Sequence, residues 1–103
     1  MSQVLEKPIT LEGLRERREE ILQVARACGG IRVRVFGSVA RGEATSESDV
    51  DFLVQFQKGT SLWDAVGLWQ DLSDLLGCRV NVVSEGIPHD RFLENALRDA
   101  LEL

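Results

Sequence analysis

The sequence predicts an α+β domain, a small mixed β-sheet with helices packed on it, and three observations carry that expectation. Segments with apolar residues at helical spacing alternate with short β-branched segments of period two, in the order helix, strand, strand, helix, strand, helix. The 103 residues are 44% hydrophobic and 28% charged, the usage of a folded globular chain and not of a disordered one. Clusters of Gly, Ser and Thr fall between the periodic segments, as turns do, with no internal repeat or low-complexity stretch. One domain over residues 1–103 is expected, with one active site at most. A chain of this size buries only about two-thirds of its surface on folding, so a partner, a ligand or self-association into a homo-oligomer is expected to add stability.

Residues 11 to 28 place Leu11, Leu14, Ile21, Leu22, Ala25 and Cys28 on one stripe, with Thr10 as N-cap and Gly29-Gly30 as the stop. The charged run GLRERREE within it reads as the solvated face of that helix and not as a binding tract. Ile31 to Phe36 alternate as a strand that ends at Gly37, and a polar stretch, SVARGEATSES, follows. Val50 to Phe56 form the second strand, with Val50, Phe52, Val54 and Phe56 on one face and Asp51, Leu53 and Gln55 on the other. Ser61 and Asp64 make a capping-box start for a helix whose stripe is Leu62, Val66, Trp69, Leu72, Leu75 and Leu76, ending at Gly77. Trp63 and Trp69 are read as core or interface anchors in preference to ligand stackers. Arg79 to Val83 form the third strand. Pro88 then opens a closing helix carrying Phe92, Leu93, Ala96, Leu97, Ala100 and Leu101, with His89 as a surface or capping residue.

Composition excludes several functions. The net charge is −5 and no long basic run exists, so direct nucleic-acid binding through phosphates is not expected. No apolar run approaches the roughly 20 residues of a membrane span, and the start, MSQVLEKPIT, lacks the layout of a secretion signal, so a cytoplasmic protein is expected. Cys28 and Cys78 stand alone, which disfavours zinc and a disulfide and makes each a small buried residue.

The chemistry concentrates between Phe36 and Val54. Gly37-Ser38 follow a strand directly, ten residues intervene, and Asp49 and Asp51 then stand one residue apart at the next strand. Strand period two puts both carboxylates on one face, with Cα atoms roughly 6.6 Å apart. Such a pair repels by a few kcal/mol at an effective dielectric near 20, which a proton or a hard cation relieves, and magnesium with its preference for oxygen and phosphate suits it. The Gly-Ser turn is the phosphate counterpart: glycine permits close backbone approach, and the Ser38 hydroxyl and nearby amides donate. Arg41 is close enough along the chain to pair with a phosphate or with the acidic pair, and Ser48 completes the polar frame between the two strands.

The run GSVARGEATSESDVDFLV resembles the signature of the minimal nucleotidyltransferases, the smallest members of the DNA polymerase beta-type nucleotidyltransferase superfamily. The strand RVNVV and the closing helix fall where that fold has them, so the resemblance spans nearly the whole chain. It implies that Gly37 and Ser38 hold ATP, with Arg41 and Ser48 beside them. Asp49 and Asp51 would coordinate two Mg2+ ions that bridge the phosphates during in-line attack on the α-phosphorus, releasing pyrophosphate. Members of this family commonly serve as antitoxins beside HEPN-domain toxins, which are ribonucleases, and can inactivate them by moving AMP onto a tyrosine. This chain has no tyrosine, so such an acceptor is not its own.

One position departs from the family pattern. Where the following strand usually carries a third acidic residue, this chain reads Val80-Asn81-Val82-Val83. Asn81 offers a carbonyl oxygen without the charge or basicity to take a proton, and a positioned general base contributes about 10²–10⁴ in rate. Glu85 is the candidate substitute by proximity in sequence. The resemblance therefore implies a protein adenylyltransferase acting as antitoxin, with Asp49, Asp51 and Asn81 as the catalytic set. The alternative is a catalytically weak or inactive nucleotide-binding antitoxin that neutralises its partner by binding.

Overall fold

The computed structural model describes residues 9–85 and 91–103. The expectations placed on Pro88 and His89, and on the side chain of Phe92, fall outside the described residues.

The first helical segment is two helices, α1 (Leu11–Glu16) and α2 (Arg18–Ala27), where the periodicity predicts one. Arg17 leaves the helical region at φ −107°, ψ 20°, while its guanidinium donates to the Leu75 carbonyl at 3.0 Å and to Glu20 at 3.1 Å. That tertiary anchor offsets the small cost of one tightened turn. Thr10 caps α1 as expected, its hydroxyl accepting from the Gly13 amide at 3.0 Å.

Strand β1 (Gly30–Phe36) is followed directly by a short helix, α3 (Gly37–Arg41), inside the stretch that reads as polar connection. Strand β2 (Val50–Phe56) pairs antiparallel with β1 and parallel with β3 (Val80–Ser84). Helix α4 (Leu62–Leu76) makes the expected reciprocal capping box between Ser61 and Asp64 and ends at Gly77. Helix α5 (Arg91–Asp99) stops before Ala100, and Leu101–Glu102 form an edge strand, β4, against β1. Ala100 and Leu101 therefore do not continue the closing helix. Arg15 and Arg32 hold this segment to the sheet, donating to the Glu102 carbonyl at 2.8 Å and to its carboxylate at 2.6 Å. A two-residue strand is too short to leave a periodic signal.

The sheet order is β3-β2-β1-β4, mixed as predicted. One face buries Val33, Val35, Val50, Phe52, Val54 and Val80 against Leu14, Ile21 and Ala25 of α1 and α2 and Leu68 and Leu72 of α4. The opposite face buries Phe36 and Leu53 against Leu93 and Ala96 of α5. Central strand β2 is thus covered on both sides, and burying a side chain such as Phe52 or Leu53 stabilises by about 1.5–3 kcal/mol.

Two expectations about burial are corrected. Helix α4 docks through Leu68 and Leu72, whereas Leu62, Val66 and Trp69 of the predicted stripe are exposed, as is Trp63, so neither tryptophan is a core anchor: the helix has more apolar residues than one docking face accommodates. Cys28 and Cys78 are free, as expected, but half-buried at the ends of α2 and α4 instead of sitting in the core.

Candidate active site

The sheet register builds the site. Phe36 lies opposite Asp51, and Asp51 lies beside Asn81, so the end of β1, the second aspartate and the asparagine stand in one row across three strands. Asn81 Nδ2 donates to both carboxylates, at 2.9 Å to Asp51 Oδ1 and 3.2 Å to Asp49 Oδ2. Arg79 Nε pairs with Asp49 Oδ1 at 3.1 Å. The turn from β1 into α3 passes against Asp51 at Gly37, whose φ is +76°, and a Cβ there would overlap Asp51 Oδ2. Glycine is required at this position on both counts.

Burial pushes the Asp51 carboxyl above its ordinary value, and the charge of Asp49 adds to the effect, while the Asn81 hydrogen bond and the charge of Arg41 oppose it. A cavity of about 510 Å³ opens beside this row, lined by Phe36, Asp51, Trp69, Asn81, Val82 and Val83. Trp69 reaches it around the edge of β3, with its indole nitrogen donating to the Val80 carbonyl at 2.6 Å.

Asp49, Asp51, Asn81 and Gly37 come together as the sequence predicts. Ser38 follows in the first turn of α3, its carbonyl closing the helix by accepting from the Glu43 amide at 2.8 Å. Arg41 is engaged by Glu43 at 3.0 Å and by Asp99 of α5 at 2.7 Å, and Ser48 is used within its own loop, its hydroxyl accepting from the Thr45 amide at 2.9 Å. Glu85 is not a substitute carboxylate. It lies four residues beyond Asn81, roughly 13 Å along the chain direction, and forms an ion pair with Arg34 at 2.7 Å. Sequence reasoning missed Arg79 and the position of Trp69. Both act through the pairing of β3 with β2, which no local pattern specifies.

The donor set fits magnesium held jointly with phosphate. Among the described residues no group of three His, Cys, Asp or Glu side chains could hold a metal alone. Asp49 and Asp51 are hard oxygen donors, Asn81 turning its nitrogen and not its carbonyl toward them, and Mg2+ characteristically takes one or two carboxylates and completes its shell with water and substrate phosphates. A cation between the carboxylates would take over the charge-offsetting role that the Asn81 amide plays here.

Residues 11–102 match the model of the nucleotidyltransferase domain. The chain belongs to that family. Among curated proteins it is 33% identical over 90 residues to MJ0435 of Methanocaldococcus jannaschii, designated a candidate protein adenylyltransferase, covering 87% of this chain and 97% of that protein. It is 40% identical over 73 residues to the protein adenylyltransferase MntA of Thermococcus cleftensis, covering 70% and 74%. Among solved structures, a candidate minimal nucleotidyltransferase is 50% identical and superposes with a TM-score of 0.79 over 91% of this chain and 96% of that one. A toxin–antitoxin complex crystallised with AMP-PNP shares the nucleotidyltransferase fold at a TM-score of 0.71 and 19% identity, over 82% and 69% of the two chains. The α+β architecture is therefore the nucleotidyltransferase fold. No helix among the described residues is long and apolar enough to cross a membrane.

Proposed function

We propose that this nucleotidyltransferase, as one domain over residues 1–103, is a cytoplasmic magnesium-dependent protein adenylyltransferase. It moves AMP from ATP onto a HEPN-domain toxin and thereby acts as its antitoxin. The observation that carries the reading is the juxtaposition of Asp49 and Asp51 with a glycine turn that only a missing Cβ allows to lie against Asp51. The 33% and 40% identities to protein adenylyltransferases support the reaction class.

Gly37 and Ser38 present the backbone and hydroxyl of the turn to the triphosphate. Asp49 and Asp51 would hold Mg2+, which would supply charge neutralisation on the phosphates. Arg41, at the end of α3 and paired with Glu43 and Asp99, acts on Asp51 through its charge, while Ser48 fixes the loop that delivers Asp49. The acceptor hydroxyl forms a bond to the α-phosphorus as the bond to the bridging oxygen breaks, pyrophosphate leaves and the hydroxyl proton passes to solvent water. Asn81 holds the two carboxylates in register and takes no proton, so transfer is slower than with a carboxylate at that place, by about 10²–10⁴. The same bifurcated contact favours a second reading, a nucleotide-binding antitoxin that acts by binding alone.

ATP binding measured by calorimetry with and without Mg2+, with mass spectrometry of a co-expressed HEPN-domain protein, separates the two. Mg2+-dependent binding with a partner heavier by AMP units is the expected result. Binding with a stable complex and no mass shift selects the second reading, and absence of nucleotide binding refutes both.

A further inference from the structure

Asp49 is the last residue before β2 and Arg79 the last before β3, and the two strands run parallel with Val50 opposite Val80. Their side chains therefore leave neighbouring strand ends. Arg79 grips the loop that delivers Asp49 at three points. Its Nε pairs with Asp49 Oδ1 at 3.1 Å, its Nη2 donates to the Glu47 carbonyl at 3.0 Å, and its own carbonyl accepts from the Val50 amide at 3.0 Å. The side chain is 77% exposed, so hydrogen bonds and charge hold it, not packing.

The two oxygens of Asp49 are divided between two donors. Arg79 takes Oδ1, while Oδ2 goes to the Asn81 amide that also holds Asp51 Oδ1. A guanidinium anchored at once to the Glu47 carbonyl and to Oδ1 fixes the rotation of the carboxylate and leaves its other oxygen on the side of Asp51. Among the described residues Arg79 is the only cation in ion-pair contact with either carboxylate. Arg41 acts on Asp51 through its field alone and is itself paired with Glu43 and Asp99.

The charge of Arg79 acts in opposite senses on the two forms in which magnesium reaches the site. Free Mg2+ is repelled by the guanidinium, whereas Mg2+ carried on ATP belongs to a complex that is an anion overall and is attracted. We infer that Arg79 is a positioning residue that orients Asp49 and, through its charge, selects the magnesium–nucleotide complex over the free cation. This rests on the nucleotide-transfer reading of the site and adds to it the residue that makes the metal and the nucleotide arrive together.

The test uses the full chain as wild type, Arg79→Met and Arg79→Lys. Calorimetry titrates each with Mg2+ alone and with a preformed Mg2+–ATP mixture at low ionic strength. Both variants are expected to melt close to wild type, because an exposed ion pair contributes little to stability. Arg79→Met should bind Mg2+ alone about 5–10-fold more tightly and Mg2+–ATP at least about threefold more weakly, the effect of one charge roughly 6 Å away in a largely solvent-like dielectric. Raising the salt concentration should narrow both differences. Arg79→Lys keeps the charge and should stay within about twofold of wild type on both ligands. If Arg79→Met loses affinity for both ligands, the residue only holds the loop; if it changes neither, the ion pair has no part in binding. Either result overturns the proposal, as does an Arg79→Lys that behaves like Arg79→Met. All three leave the nucleotide-transfer reading standing as long as wild type binds Mg2+–ATP. A wild type that binds no nucleotide overturns both.

Discussion

Replacing Asp51 with Asn is expected to make the protein more stable and useless as a transferase. Both carboxylates lie within hydrogen-bond reach of one amide nitrogen, which puts the two accepting oxygens no more than about 6 Å apart. Two unit charges at that separation repel by about 3 kcal/mol at an effective dielectric of 20 and by about 0.7 kcal/mol in bulk water. Asp49 is partly exposed and paired with Arg79, so the realised figure lies toward the lower end, about 1 kcal/mol. The amide oxygen of the replacement still accepts from Asn81, and the buried charge is gone. For a domain of this length the gain corresponds to a Tm rise of about 4–8 °C. Its pH dependence follows from the raised carboxyl. In wild type the penalty is absent below the ordinary value of 3.8, where the group is protonated folded and unfolded alike. It grows as pH rises through the higher folded value and is complete above it. Thermal melts of wild type and Asp51→Asn without Mg2+ at pH 7.5 and pH 3 should show the gain at pH 7.5 and little or none at pH 3. A variant that melts no higher than wild type at pH 7.5, or that gains equally at both pH values, refutes the view of the acidic pair as a strained, cation-seeking site.

Asn81→Asp should raise AMP transfer to the HEPN-domain protein, by up to about 10²–10⁴, while lowering Tm in the absence of Mg2+; rates and melts on the same preparation check both. Gly37→Ala forces an L side chain into a positive-φ turn against Asp51 and should cost about 1–3 kcal/mol in urea denaturation, with at least tenfold weaker binding of Mg2+ and ATP by calorimetry. Ser61→Ala removes the acceptor of the α4 capping box and should cost about 1 kcal/mol, read as a Tm fall of about 4–8 °C with nucleotide binding unchanged. Arg34→Met leaves Glu85 without its ion-pair partner in a largely buried position and should cost about 1–3 kcal/mol in urea denaturation, again without effect on nucleotide binding.

What could be read from the sequence is what local chemistry dictates. The strand from Val50 to Phe56 is legible because its apolar positions are many and of β-branched or aromatic type apart from Leu53, and the start of α4 because Ser61 and Asp64 satisfy each other's amides. The acidic pair is legible because the period-two spacing carries one residue past the start of β2, where Asp49 still meets Asp51 at the Asn81 amide. What was illegible depends on residues distant in sequence. The break at Arg17 is set by a carbonyl 58 residues away, and β4 exists because Arg15 and Arg32 draw Glu102 to the edge of β1. The orientation of α4 is ambiguous because the helix is apolar on more than one side. Glu85 was misplaced for a related reason: nearness in sequence on a strand is distance in space, at about 3.3 Å per residue.

The position of Asn81 is where the tension between stability and chemistry is sharpest. A third carboxylate there would leave three negative groups around one point, stable only with a cation present. An amide instead donates one nitrogen to both aspartates and holds them at the spacing seen, so the folded chain keeps its acidic pair oriented without a metal. The same contact removes the basic group at the place a proton would be taken. The chain would therefore gain a preorganised nucleotide site and give up part of the rate, a trade that works only if the acceptor stays bound long enough for a slow transfer to finish. Measuring transfer within a preformed complex, against transfer between freely mixing proteins, distinguishes these ideas. If the single-turnover rate in the complex still falls below the rate of complex dissociation, the amide at position 81 leaves the protein as a binder and not as an enzyme.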